Sequence, residues 1–589
     1  MPNDKWAALD KRGNAPSYRE PMDANFRNIA GVITDGSGPL DGAGLARVIA
    51  SGASGSAMSL GSGDEFALAG LNPETSEPDT TANGAPANFF LAGGAAAGPF
   101  AQWGTTGSVS QFGEAGMGAW AAARAFPEAQ KFWLARDQFG QQPLYYAEKG
   151  ATTAFASNLN WFFESDFLRP ELNAESFAEL VQLQFLSGNS SAFNGIRRVF
   201  PGETLVIERG RVVDHLRRPM VPHSDRTLVD RAVAFDALDE VLNDVVEKAL
   251  ADVRVIGCVL TGDLASTALA VAIARRATRR VRAYIPIAGG EGKPTQEVAI
   301  AFAKSLGFEV VPLTIDSDTF FDVLPGIGKV MADPVGDHAA WAWDAVARAA
   351  HHDGATLVLP TGGQELFGAY GRYRTAARPL WLGGRAMRGR GHLQGLKGLP
   401  DGPSHWRDGL TGIENRLRGG KFTGIQMMQL LDIATWLPND TLLGEHQIFS
   451  RLGVEARRPF LDPALAGLAF SLADQLKVRG QSGGVLLRHW LFKSFPTSRS
   501  IIETERPTLP LGNWMAERAK SFAPAVARII SQTGQMNEPQ VRAIFEATAV
   551  KKSKRLGMAA WQLLYFALWY RLHIDGVDGD MDTVLGNDA

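Results

Sequence analysis

This 589-residue chain has one cysteine, Cys258. A single thiol excludes an intrachain disulfide, no cysteine-based metal site is expected, and a reducing compartment suits it. No stretch approaches ~18 uninterrupted apolar residues, so no membrane-spanning helix is expected. The start, Met1-Pro-Asn-Asp-Lys-Trp6, lacks the apolar core of a secretory signal. A cytoplasmic protein is the simplest expectation. Charge of one sign is also lacking: 59 Lys and Arg stand against 62 Asp and Glu, a formal net of −3. That balance gives no field for nucleic acid or a membrane surface, and neither is expected as a partner. The ten His show no metal-ligand spacing, and His351-His352 reads as a helix end.

What is present is enough chain for two or three domains, which usually run to ~100–200 residues each. Residues 1–24 are polar and irregular and read as a loose leader. Residues 25–222 are rich in Gly, Ala and short β-like runs such as Asn88–Ala92, Lys131–Ala135, Leu144–Ala147 and Thr204–Ile207. The composition changes near Val221–Asp225. An amphipathic helix is expected over Asp230–Ala251. Apolar strands then alternate with helices: strands at Val253–Leu260, Val281–Ile287, Phe308–Leu313 and Ala355–Leu359, helices at Ser266–Ala277, Gln296–Leu306 and Trp341–His351. This alternation predicts a parallel sheet covered on both faces. From about Ala377 to Ile574 the text is mostly helical, and residues 223–589 read as the second domain.

Within that domain a strand ending at Leu260, the loop Thr261-Gly-Asp-Leu-Ala265 and a helix from Ser266 make a candidate anion site, because free backbone N–H groups face a ligand at a helix start. The run Lys551-Lys-Ser-Lys-Arg555 before an apolar helix, Met558–Leu572, reads as a solvated face.

Three phrases carry a resemblance: Val259-Leu-Thr-Gly-Asp-Leu-Ala-Ser266, Thr361-Gly-Gly-Gln-Glu-Leu-Phe-Gly-Ala-Tyr370 and Val454-Glu-Ala-Arg-Arg-Pro-Phe-Leu-Asp462. They resemble the synthetase half of the asparagine synthetase family, which activates a carboxylate with ATP and passes it to an amine. Upstream, Arg136-Asp-Gln-Phe-Gly-Gln-Gln-Pro-Leu-Tyr-Tyr146, Phe155-Ala-Ser-Asn158 and Val199-Phe-Pro-Gly-Glu203 resemble that family's amidotransferase half. The resemblance implies an N-terminal Ntn-type αββα sandwich joined to an adenine nucleotide alpha-hydrolase-like (PP-loop) α/β domain with a doubly wound parallel sheet. It implies ATP held by Leu260, Thr261, Gly262, Asp263, Leu264, Ser266, Ile285, Gly362 and Gly363, with Mg²⁺ near Asp263 and Gln364. Glu365 and Arg488 are the implied catalytic candidates.

The charged letters depart from the family. The pyrophosphate phrase Ser-Gly-Gly-x-Asp-Ser has Asp263 for its second Gly and Ala265 for its metal-binding Asp. The second metal Asp falls on Gln364, a neutral and poorer Mg²⁺ ligand. The Lys of Lys-x-x-Leu-Arg falls on Gly484 beside a retained Leu487-Arg488. His446-Gln447 stands where Asp-Arg is usual. In the first domain Ala30 stands at the nucleophilic Cys, inside the chain, so neither nucleophile nor free α-amine base is present and glutamine hydrolysis is not expected.

Asp263 admits two readings: a relocated metal ligand, or a helix cap whose carboxylate occupies the anion site. Lys477 or Arg488 is a candidate to replace the lost cation. Glu455, Arg457 and Asp462 read as a charged pair and a cap around a fixed turn. Arg136 and Asp137 read as a buried turn-forming pair, and Phe367 as core. Weak Mg–ATP binding is expected unless Asp263 and Glu365 take over. Relatives of this architecture in which the amine belongs to the substrate include β-lactam synthetase and the lasso-peptide macrolactam cyclases, the nearer type. The partners so implied are a ribosomal precursor peptide and maturation proteins: an intact cyclase, a leader-binding protein or a peptidase. A homo- or hetero-oligomer is expected. The rival expectation is a silent pseudo-synthetase that serves as scaffold or regulator of an active cyclase.

Overall fold

The computed structural model describes residues 29–34, 57–63, 66–71, 89–92, 118–126, 131–221, 227–288, 293–376, 387–396, 404–503 and 509–586. The expected leader, residues 1–24, lies outside them.

Eleven strands among the described residues build the first half: β1 (Ile29–Thr34), β2 (Ala57–Gly63), β3 (Phe66–Leu71), β4 (Phe89–Ala92), β5 (Ala121–Phe126), β6 (Lys131–Arg136), β7 (Tyr145–Lys149), β8 (Thr152–Ala156), β9 (Ile196–Arg198), β10 (Glu203–Glu208) and β11 (Arg211–Arg217). They form two antiparallel sheets, ordered β2-β3-β1-β8-β7-β9 and β11-β10-β6-β5-β4. Alternate residues such as Ile33, Phe132, Leu134, Tyr146, Phe155 and Leu205 meet in one apolar layer between them.

The turn after β6 shows why its residues have these identities. The Asp137 carboxylate accepts backbone N–H groups from Phe139, Gln141 and Gln142 at 3.1, 2.9 and 2.8 Å. Arg136 donates to the carbonyls of Gln142, Val199 and Gly140 at 2.7, 2.9 and 2.7 Å. Both side chains are buried and satisfied, which fits a structural pair.

The second half is a parallel sheet ordered β14-β13-β12-β15-β16, from β12 (Ile256–Val259), β13 (Val281–Ala288), β14 (Glu309–Ile315), β15 (Thr356–Val358) and β16 (Ala456–Arg457). The strands are short apolar runs covered by helices, as the alternation predicted. The helix Arg231–Leu250 starts on Asp230, which accepts the N–H groups of Ala232 and Val233 at 2.8 and 2.9 Å. The helix Ala340–Asp353 carries His351 and His352 in its last turn and stops at Gly354, φ 60°.

The chain runs outward from β12 through β13 to β14 and then returns to the other flank of β12 as β15. Ligands of such sheets sit where this reversal opens the carboxyl ends of two strands. Here those ends are the loops at Thr261 and Thr361. The helical remainder holds two features that periodicity did not anticipate: a π-helical turn, Leu437–Thr441, and a small hairpin of β17 (Val478–Arg479) and β18 (Ser482–Gly483). Among the described residues no helix is long and apolar enough to cross a membrane.

The halves share buried polar contacts. Arg198 of β9 pairs with Asp333 at 2.5 and 2.7 Å, Tyr145 donates to the same carboxylate at 3.0 Å, and both members of the pair are almost fully buried. Gln447 grips the Asp333 backbone twice, at 3.0 and 2.9 Å.

Candidate functional site

The loop after β12 turns at Gly262 (φ +78°), and the helix Leu264–Arg276 begins on Asp263. One Asp263 oxygen accepts the Ser266 N–H at 2.8 Å and the other accepts the Thr261 hydroxyl at 2.7 Å. Thr261 also donates to the Ser266 hydroxyl at 3.1 Å. The carboxylate is thus the helix cap, and it takes an N–H that a phosphate would otherwise use.

Ala265 is 1% exposed, and a Cβ added at Gly363 would stand 2.8 Å from its methyl and 3.0 Å from the Phe460 ring. Gly362, at φ +92°, lies under Leu461, 2.3 Å from where its Cβ would be. The two phrases that carry metal acids in the resemblance therefore meet through apolar atoms. Leu260 and Ile285 are buried within the sheet core.

The implied metal site is not assembled. Among the described residues no group of three His, Cys, Asp or Glu side chains is placed to hold a metal ion. Asp263 has both oxygens committed to the loop, and Gln364 brings a neutral amide. Mg²⁺, which favours anionic oxygens in octahedral array, does not fit this donor set.

Glu365 also departs from expectation. It is 2% exposed and faces inward, where burial pushes its carboxyl up to about 7 against the pull of Arg372, with Tyr370 as a hydrogen-bond partner. Its side chain does not line the neighbouring cleft. Lys477 does not replace the lost cation either: it is fully buried, donates to Gln429 Oε1 at 3.0 Å, and burial lowers its ammonium to about 8. Gln429 in turn donates to the carbonyls of Glu365 and Leu366 at 2.9 and 2.6 Å.

Gly484 caps the helix Val485–Ser494 at φ +64°, and its Cβ would fall 2.4 Å from Leu264 Cδ2. This backbone suits glycine, and Leu264 fills the space where a side chain would begin.

The cleft, about 440 Å³, opens between the Gln364–Arg374 segment, the β17–β18 hairpin and the start of the helix Val485–Ser494. Gln364, Tyr370, Arg374, Gln481, Ser482 and Arg488 supply its polar lining, which includes two guanidiniums and no carboxylate. Arg374 donates to the Gln481 carbonyl across the hairpin. Gly483 lets the hairpin approach closely, since a Cβ there would lie 2.6 Å from the Gly368 carbonyl. Sequence reasoning placed Gln364 and Arg488 here and missed Arg374. The available signal was the pair Arg372 and Arg374 directly after the second phrase.

In the third phrase Glu455 pairs with Arg457 at 2.7 Å, and Asp462 accepts the Ala464 N–H at 2.8 Å as a helix cap. Phe367 is 1% exposed and packs edge-on to Phe460. In the first half, Ala30 is the second residue of β1, opposite Ala69 of β3 and Ala156 of β8. Its methyl carries no nucleophile.

Comparison with known proteins agrees with this architecture. The asparagine synthase family model matches residues 237–571, and the glutamine amidotransferase domain model matches residues 100–217. A protein of Mycobacterium bovis described as a glutamine-hydrolysing asparagine synthetase is 27% identical over 504 residues, covering 76% of this chain and 75% of that protein. Glutamine-hydrolysing asparagine synthetase 1 of Bacillus subtilis is 21% identical over 487 residues, covering 75% of each. With a family match over more than half of its length, spanning the sheet and the cleft just described, this chain belongs to the asparagine synthase family.

Proposed function

We propose that this chain is a non-catalytic member of its amide-forming family, which keeps the two-part architecture and serves as scaffold or regulatory partner of an intact synthetase in peptide maturation. The observation that carries the reading is Asp263. Its two oxygens close the nucleotide loop on itself through Ser266 and Thr261, and a fixed negative charge stands at the helix start where polyphosphate would approach. Ala265 packed on Gly363, the neutral Gln364 and the unfillable Gly484 support it. The partner is an intact cyclase, a leader-binding protein or a peptidase, with an interface of at least ~1,000 Å² in total. Carboxylate-dependent exchange of labelled pyrophosphate into ATP, measured on pure protein, tests the chemistry. Light scattering with and without such a partner tests the association. Exchange above background overturns the reading.

One observation favours a second reading, an ATP-dependent macrolactam cyclase of the lasso-peptide type. The cleft has two guanidiniums and no acid, a setting for a peptide carboxylate or an oxyanion. Exchange that is lost in Arg488→Ala selects this reading over the scaffold.

A further inference from the structure

A ladder of alternating aromatic and guanidinium planes runs from the amidotransferase-like half to the wall of the cleft. Phe185 follows the helix Ala174–Leu183 of the first half, beyond its left-handed end at Gln184. The Arg388 guanidinium lies 5.0 Å from the Phe185 ring and 5.3 Å from Trp436. Arg372 stacks on the same Trp436 at 4.7 Å and on Tyr370 at 3.9 Å. Tyr370 lines the cleft.

One carboxylate serves both cations. Asp432, 1% exposed in its side chain, accepts Arg372 Nε at 2.7 Å and lies 3.6 Å from Arg388. Arg372 Nη2, Arg388 Nε and Asp432 Oδ1 are buried without a hydrogen-bond partner. Stacking and charge, more than hydrogen bonds, hold the guanidiniums. The surrounding apolar cluster is itself shared: Leu183 and Phe185 of the first half pack with Tyr373, Met387 and Trp406 of the second.

We infer that the amidotransferase-like half acts as the positioning element of the synthetase cleft, with Phe185 fixing Tyr370 through Arg388, Trp436 and Arg372. This gives a domain whose nucleophile position is Ala30 a physical task. A guanidinium between two rings has only a narrow range of planes that keep both contacts, and burial strengthens each contact. Removing Phe185 frees Arg388, then Trp436 and Arg372, and relaxes the cleft wall. Phe185, Arg388 and Trp436 are positioning residues in this account, since none of them lines the cleft.

Hydrogen–deuterium exchange of the full chain tests it. In Phe185→Ala, amides of residues 364–376 should exchange about tenfold faster, the scale of one lost cation–π contact in a buried setting. Strand β13 should be unchanged, and Phe185→Tyr should restore protection. Arg388→Met keeps much of the stacked volume and removes only the guanidinium, so it reports on the ladder even if Phe185→Ala does not fold. It should free residues 364–376 to a similar extent. Unaltered exchange there in Arg388→Met overturns the inference. So does an increase that β13 shares equally, which marks general destabilisation, or a Phe185→Tyr variant as unprotected as the alanine.

Discussion

Replacing Asp263 by Asn tests how the nucleotide loop is closed. The carboxylate does two things: it caps the helix through the Ser266 N–H at 2.8 Å, and it places a full negative charge at the helix start. Asn keeps an accepting oxygen and ranks with Asp as a cap, so Asp263→Asn should hold its melting temperature while the charge disappears. Asp263→Ala removes the cap as well and should cost ~0.5–2 kcal/mol. A unit charge about 4 Å from an arriving phosphate contributes ~1 kcal/mol in bulk water and ~4 kcal/mol at an effective dielectric of about 20. Asp263 is only partly buried, which places the repulsion near ~1.5–3 kcal/mol, or about ten- to a hundredfold in Kd. Titration calorimetry with inorganic pyrophosphate at low ionic strength reads this directly. Both variants should bind pyrophosphate more tightly than the unaltered chain by that factor, and only Asp263→Ala should melt lower. Equal pyrophosphate affinity for the unaltered chain and Asp263→Asn would refute the argument that Asp263 guards the anion seat.

Gly484→Lys, which restores the family's letter, should not restore its chemistry. The left-handed backbone costs ~1–2 kcal/mol and the approach to Leu264 a further ~1–3, so a lower melting temperature with no gain in pyrophosphate exchange is expected. Glu365 gives a pH signature. Burial raises its folded pKa to about 7 from the ordinary 4.5 of a glutamate, so its contribution is fully present below pH 4.5 and is lost as pH rises through 7. Glu365→Gln should therefore gain stability relative to the unaltered chain between pH 5 and pH 8, by up to ~3 kcal/mol in chemical denaturation. A gain that is flat with pH contradicts a buried, titrating Glu365. Finally, pure protein should release no glutamate from glutamine, because Ala30, paired within β1, offers a methyl and no nucleophile. Turnover in a coupled glutamate assay would contradict that assignment.

Much of this molecule is written locally. Apolar strands alternating with amphipathic helices over residues 253–359 specify the parallel sheet, since burial on both faces demands such runs. Asp137, Glu455 and Asp462 act on backbone or side chains within five residues of them, and their turn chemistry was legible, whereas Arg136 also reaches the Val199 carbonyl and Arg457 those of Ala249 and Ala251. So was the replacement of four functional letters, at Ala30, Ala265, Gln364 and Gly484. What each replacement meets was not legible, because it depends on atoms far away in the chain. Ala265 faces Gly363 and Gly484 lies against Leu264, whereas the cap at Asp263 acts on Ser266 three residues on and was one of the two readings its sequence offered. The ladder draws on positions 185, 370, 372, 388 and 436, whose spacing has no period. Local hydrogen bonding and hydrophobic rhythm fix elements and turns from near neighbours. The meeting of remote side chains in one dense core is decided only when the sheets and helices pack.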